Sequence, residues 1–375
     1  MRLSLLDYVP LFEGRTPNDA LKHSIKLAQH AEKLGYLRYW VAEHHQVYSV
    51  VSSAPEIIMM SILEHTQHIR VGSGGVMLPH YSPYKVAEQF KIMEARHPHR
   101  IDMAIGRSPS FKNVNEALNE NKNEKLPFNT QITDLLKYFN NDTYQDHRFK
   151  SLLAIPMVTS FPQLYILGMS NRSAKLAAQR GLPFVIARMG QSETDLHEAI
   201  STYRKYFKAY HGEINNVKPY VILATFVVTA SNLSRVKQLL HALQLWLMRI
   251  NYLNQPKSYP SIKTAQNKHY SQRELVKLEK MKSKIIHGMP NDVAEQLTLL
   301  HQQFEVDEIL ILPHVFGEDA RMELVELIAN ELISSYSRDE FSTITKTHTI
   351  DSLESQVIIQ SCVLFTTFKF PIRIV

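Results

Sequence analysis

Short apolar runs rich in β-branched residues alternate along the chain with longer stretches in which apolar residues recur every three or four positions. Residues 3–9 read as a strand. Residues 18–35 read as a helix with Leu21, Ile25, Leu27, Ala28, Ala31 and Leu34 on one face. Thr16 or Asn18 caps that helix and Gly35 stops it. The strand pattern returns at residues 38–45, 69–78 and 101–107, and the helical pattern at 55–65 and 82–97. A β-then-α rhythm in the first third of a chain predicts a parallel sheet with right-handed crossovers.

The middle is less regular. Residues 108–124 are rich in Asn, show no helical face and read as a long connection that could act as a lid. Beyond them, helices are expected at 128–139, 173–181, 193–210, from a cap at Ser231 or Asn232 to about Ile250, and at 274–284, 290–304 and 318–332. Strands are expected at 163–170, 183–189, 220–230 and 308–315, and residues 257–268 read as a polar inserted loop. The predicted strands begin near residues 3, 38, 69, 101, 163, 183, 220 and 308. They predict an α/β fold, a (β/α)8 TIM barrel with insertions. The rival, a doubly wound open sheet binding a dinucleotide, needs a Gly-rich turn after the first strand. Residues 9–14 hold a single Gly, which argues against it.

The domain reading is therefore a barrel over residues 1–333 and a C-terminal tail over 334–375. The tail ends in an apolar, strand-like run from 357 to 375. It has no place once the eighth helix is complete, and it reads as a disordered or swapped segment with no assigned chemistry.

Composition narrows the function. A chain of 375 residues with 44% hydrophobic and 21% charged residues can bury a sizeable core. The net charge of +6 is thinly spread, without the Lys/Arg-dense stripe that tracks a nucleic-acid backbone. The single cysteine, Cys362, excludes an intramolecular disulfide and a Cys-based zinc cluster. No run approaches the ~18 consecutive apolar residues of a membrane helix, and no basic-then-apolar leader opens the chain. A soluble cytoplasmic protein is expected.

In a barrel, reactive groups sit at the C-terminal ends of strands. The second strand ends in Glu43-His44-His45. His44 there reads as a general base or proton donor, or as a rim histidine bonded to a carbonyl. The neighbouring residues lack metal-ligand spacing. The third strand carries Gly72-Ser73-Gly74-Gly75, glycines that a strand interior avoids unless the backbone must approach something closely. That is either a flat ligand lying on Gly74 and Gly75 or a bulge. The fourth strand ends in Gly106-Arg107, where Arg107 can offer a fork to a phosphate or pair with a carboxylate. The fifth leads through Gly168-Met169-Ser170-Asn171-Arg172-Ser173 into a helix. Small hydroxyl residues there cap the helix, and its N-terminus favours an anion. Together these strand ends suit a mononucleotide cofactor such as FMN.

These residues also carry a resemblance. Trp40-Val41-Ala42-Glu43-His44-His45, the run Arg70 to Pro79, Val86-Ala87-Glu88-Gln89-Phe90, His99-Arg100-Ile101-Asp102 leading to Gly106-Arg107, and Ala177 to Pro183 resemble the bacterial luciferase-like flavin monooxygenases. The closest likeness is to the substrate-unassigned luciferase-like monooxygenase subgroup. Gly288-Met289-Pro290 and Val306-Asp307-Glu308 extend the likeness, which covers residues 1–333.

The resemblance implies a (β/α)8 barrel that uses FMN as FMNH2, supplied by a separate NAD(P)H-dependent flavin reductase. O2 would be activated through a peroxyflavin to oxidise a small-molecule substrate. Gly74–Gly75 would carry the ring across a cis peptide, and Arg107, Met169, Ser170 and Ser173 would hold the phosphate. His44 would be the catalytic base. A homodimer through helices of the first barrel half is implied as well, with no metal, no nucleic acid and no membrane. Gly106 stands where the flavin-binding luciferase subunit has cysteine, and Ser110 where it has tyrosine, so light emission is not expected. The alternatives are an F420-dependent hydride-transfer oxidoreductase and a non-catalytic flavin-binding protein.

Overall fold

The computed structural model describes residues 1–107, 110–120, 126–212, 218–250 and 255–333. Among them are nine strands: β1 (Arg2–Asp7), β2 (Arg38–Val41), β3 (Arg70–Val76), β4 (Ile101–Ile105), β5 (Gln163–Leu167), β6 (Phe184–Ala187), β7 (Val221–Thr229), β8 (Ile286–Gly288) and β9 (Glu308–Leu312). Successive strands pair in parallel from β1 to β7, β7 pairs with β9, and β9 returns to β1. Eight strands thus close into a barrel, which excludes the open doubly wound sheet. These eight are the strands expected from the sequence, and the fold is a (β/α)8 barrel.

Twelve helices are described: α1 (Pro17–Leu34), α2 (Pro55–His65), α3 (Pro83–Arg96), α4 (Lys112–Leu118), α5 (Phe128–Phe139), α6 (Asn171–Gln179), α7 (Glu193–His211), α8 (Leu233–Arg249), α9 (Ile262–Asn267), α10 (Gln272–Lys282), α11 (Pro290–Phe304) and α12 (Glu318–Leu332). Local chemistry explains their ends. Thr16, rather than Asn18, caps α1 in a reciprocal pair with Asp19, and Gly35 ends it at φ 87°.

The structure corrects the sequence reading in four places. The connection 108–124 contains α4, a helix with no buried residue, so it has no apolar face to show a period. Residues 108, 109 and 121–124 of that connection lie outside the described residues. The expected loop 257–268 contains α9, capped by Ser261 and burying only Ala265. β8 had no counterpart, because three residues paired to the end of β7 carry no alternation. Finally, α6 begins at Asn171 with Ser170 as its cap, two residues before the expected start at Ser173. The tail 334–375 lies outside the described residues.

The N-terminal end of the barrel is closed by a buried ionic network. Arg38 Nη1 donates to Asp102 at 2.7 Å and Arg38 Nε to Glu308 at 2.8 Å, while Arg70 and the Trp40 indole also donate to Asp102. Burial disfavours all these charges, and their mutual attraction offsets the cost. This end is stabilising scaffold, and the opposite, C-terminal end is free to carry chemistry. Among the described residues no helix is long and apolar enough to cross a membrane.

Candidate functional site at the C-terminal barrel mouth

The mouth is built from residues just past the strand ends. β1 ends at Asp7, whose buried carboxylate faces the surrounding helices. It accepts from Arg321 Nη2 at 2.6 Å, Tyr39 Oη at 2.6 Å, Ser24 Oγ at 2.7 Å and the Val9 N–H at 2.7 Å. Successive strand side chains alternate, so the next residue, Tyr8, turns into the mouth. There its ring meets that of His44, with centroids 4.4 Å apart. Burial pushes the Tyr8 phenol up to about 12.

His44 follows β2. Its backbone N–H donates to the Ser52 carbonyl at 2.9 Å, and its buried Nδ1 has no partner among the described residues. Burial lowers its pKa to about 4, against a raising effect from Glu43 and a further lowering one from His45. The imidazole is therefore neutral near pH 7 and has a free nitrogen. The hydrogen-bonded rim reading applies to its backbone only, because the ring itself meets Tyr8.

The Gly74–Gly75 peptide at the end of β3 is cis. Neither glycine has room for a side chain. A Cβ on Gly74 would stand 2.5 Å from Leu6 Cδ1, and one on Gly75 would stand 2.2 Å from the Ala104 carbonyl oxygen and 2.6 Å from Leu167 Cδ1. The register between β3 and β4 also shifts between Gly74 and Val76. The bulge and the close backbone approach, alternatives at the sequence level, therefore occur together. Both glycines are partly exposed.

Gly106 continues this surface. Its N–H donates to the Val76 carbonyl at 2.9 Å, and a Cβ on it would touch only Leu167 Cδ1, at 3.9 Å. Arg107 follows, exposed, with no hydrogen bond or ion pair among the described residues. Among the described residues Arg107 thus forms no pair with a carboxylate. Beyond β5, Gly168 packs directly against Ser173, where a Cβ would lie 2.1 Å from the Ser173 Cβ. Met169 is exposed and its methyl faces Gly190. The Ser170 hydroxyl accepts the Ser173 N–H at 3.4 Å and lies 3.3 Å from the Ser173 hydroxyl. The first turn of α6 holds no acidic residue. Leu167 thus links the Gly75 and Gly106 surfaces to the start of α6.

Sequence reasoning gave no role to four residues at this end, Tyr8 and three more. Glu43 receives three hydrogen-bond donors and is buried. His314, two residues past β9, is buried in an aromatic box of Tyr8, Trp246 and Tyr259, with centroids 4.2 to 5.2 Å away. Burial and the nearby Arg321 cation drive its pKa well down. Arg188, after β6, keeps its Nε and Nη1 buried without partners among the described residues. Taking the first two residues after every strand end in turn would have found Tyr8, Arg188 and His314.

The amino-acid sequence matches the luciferase-like monooxygenase family over residues 1–305. It is 31% identical over 338 residues to the N-acetyl-S-alkylcysteine monooxygenase of Bacillus subtilis (strain 168), a match covering 89% of this chain and 99% of that relative. The crystal structure of apo-MsnO8 shares the fold with a TM-score of 0.77 at 31% identity, covering 88% of this chain and 98% of that one. The oxygenating constituent of 3,6-diketocamphane monooxygenase from Pseudomonas putida, a type II Baeyer-Villiger monooxygenase solved with FMN, shares it at 0.64 and 17% identity over 88% of this chain and 98% of its own. That last likeness is one of fold. A closed parallel barrel, a glycine platform and a neutral histidine at its mouth, and a match over most of the chain lead to one conclusion: the chain belongs to the luciferase-like monooxygenase family and is a flavin-dependent oxidoreductase.

Proposed function

We propose that the protein is an FMN-dependent monooxygenase that uses FMNH2 from a separate NAD(P)H-dependent reductase, together with O2, to oxidise a small organic molecule. One observation carries the reading. The side-chain-free Gly74–Gly75 surface adjoins Gly106 and Leu167, and Leu167 leads within a few residues to the start of α6. That run offers a flat seat for a ring and a helix N-terminus for a phosphate.

The residues fit the cofactor. Arg107, exposed and unpaired among the described residues, is positioned by sequence beside the seat and supplies a charged fork. The Met169 N–H, Ser170 and Ser173 supply uncharged donors. Ser170 Oγ accepts the capping N–H of Ser173, and the Ser170 and Ser173 hydroxyls can each turn a donor toward an anion. Bound reduced flavin would supply the electrons that reduce O2. His44 would take or give the proton that accompanies this transfer. At a pKa near 4 it is a weak base by itself, and an anion brought beside it raises that value. The rings of Phe226 and Trp246 stand 6.0 and 6.2 Å from that of Tyr8, an apolar lining that would help exclude water.

Exposed Ile57 on α2 and Ile92 on α3 support a homodimer through the first barrel half, which sedimentation would check. N-acetyl-S-alkylcysteines, the compounds in the relative's name, are the first substrates to try.

The test is anaerobic mixing with FMNH2, followed by rapid exposure to O2 while flavin absorbance is recorded. The expected result is binding, then a spectrum unlike either reduced or oxidised flavin that outlasts free-flavin oxidation. Binding with oxidation as fast as in free solution would favour a non-catalytic flavin protein. Binding of F420H2 but not FMNH2 would replace this reading with hydride transfer.

A further inference from the structure

We propose that Glu43 is a positioning residue that locks the His44 imidazole and the Gly74–Gly75 peptide into one working geometry. The functional part of this inference rests on the flavin reading above.

The backbone ladder between β2 and β3 ends at the pair Val41 and Ser73. His44 and Gly75 both lie past that point, so the ladder does not hold them in register. Glu43 does. Its side chain is 1% exposed. Oε2 accepts the Met77 N–H at 2.8 Å, two residues beyond Gly75. Oε1 accepts the Tyr81 hydroxyl at 2.6 Å and lies 2.8 Å from His45 Nε2. One carboxylate therefore gathers donors from the β3 exit, from the turn before α3 and from its own strand extension.

Glu43 and His45 sit on either side of His44 in the chain and bond each other, while the His44 ring meets Tyr8. The contact from Glu43 to His45 ties together the residues that flank His44 and so fixes the backbone that carries the imidazole. Gripping Met77 fixes the glycine surface. A buried carboxylate holds such donors more strongly than an amide would, because the acceptor is charged. A Gln has one acceptor oxygen where the carboxylate has two, and its NH2 faces a donor.

The experiment uses the full chain with Glu43→Gln, which preserves shape, and Tyr81→Phe, which removes one donor and leaves the carboxylate. Amide exchange at Met77 is measured without flavin. FMNH2 affinity and the rate of flavin oxidation by O2 are measured next, with the melting temperature as a control. Glu43→Gln is expected to speed Met77 exchange and flavin oxidation by roughly tenfold or more each, the equivalent of about 1.4 kcal/mol. FMNH2 affinity should change much less. Tyr81→Phe should keep Met77 protected and speed oxidation by a smaller factor, and it carries the test if Glu43→Gln does not fold.

Unchanged Met77 exchange in Glu43→Gln would overturn the clamp. A melting temperature that falls while oxidation per folded molecule stays at the wild-type rate would overturn the positioning role and leave only a structural one. Wild-type protein that fails to bind FMNH2 would refute the flavin reading, and with it the functional role. The Met77 measurement would still separate that failure from a failure of the clamp itself.

Discussion

Replacing Gly75 by alanine adds a single methyl at the centre of the proposed ring seat. That methyl would lie 2.2 Å from the Ala104 carbonyl oxygen and 2.6 Å from both the Ala104 carbonyl carbon and Leu167 Cδ1. Unstrained contacts between heavy atoms lie near roughly 3.5 Å. Leu167 can rotate away. The Ala104 carbonyl cannot, because it belongs to β4, which is laddered on both sides and accepts from Ser73 Oγ at 3.1 Å. The exit of β3 must therefore shift by more than about 1 Å. Overpacking of this kind costs about 1–3 kcal/mol, which lowers the melting temperature by roughly 2–12 °C at 2–4 °C per kcal/mol. The distortion falls on the seat itself, so FMN affinity, read by fluorescence quenching, should drop by at least about tenfold, or about 1.4 kcal/mol. Gly106→Ala is the matched control, since its methyl meets only Leu167 at 3.9 Å. It should melt within about 0.5 kcal/mol of wild type. If Gly75→Ala behaved like Gly106→Ala in both assays, the close approach at Gly75 would not be what the site requires.

Arg107→Ala should weaken FMN binding by about 1.5–3 kcal/mol through loss of a charge-assisted phosphate contact, and unchanged affinity would remove Arg107 from the site. His44→Ala should leave flavin affinity near wild type and cut turnover by roughly 10²–10⁴-fold, and normal turnover with a true substrate would rule out the base assignment. Arg38→Ala leaves Asp102 and Glu308 buried without their shared cation, and urea unfolding should show a loss of about 3–5 kcal/mol. His23 is buried, and burial first and the Arg321 cation second lower its pKa to about 3, from 6.5 when unfolded. The unfolded chain binds that proton first, so stability should fall as pH drops below about 6.5, by up to roughly 1.4 kcal/mol per pH unit, and level off near pH 3. His23→Gln should flatten the urea-unfolding stability profile over that range, and an unchanged slope would refute the assignment.

The legible parts of the fold were the segments whose signal is local. The helices 55–65, 128–139, 290–304 and 318–332 coincide with α2, α5, α11 and α12, because an apolar face and a proline or cap mark their ends within a few residues. The strand ends were read too long. Residues 42–45 continue the apolar-then-polar pattern of β2, yet the ladder stops at Val41 because the chain turns there to deliver Glu43 and His44 to the mouth. α4 and α9 were missed because a helix that buries one residue or none leaves no period to detect. At the proposed site, Gly74, Gly75 and His44 drew notice in the sequence because glycines in a strand and histidines at its end are unusual residue types. Glu43 was visible but had no role, since a carboxylate in a sequence does not announce its donors.

The amino-acid sequence by itself determined the eight-fold β/α rhythm, most helix ends and the residue types at the mouth, because caps, turns and apolar periods act over a few neighbouring residues. Only the tertiary structure decided the closure of the sheet, through the pairing of β1 with β9 and of β7 with both β6 and β9. It also decided which strand-end residues meet. Asp7 accepts from Arg321, 314 positions away, Arg38 bonds Glu308 across 270, and Tyr8 meets both His44 and His314 at the mouth. Pairings at such separations depend on how the whole barrel packs, and no local pattern encodes them.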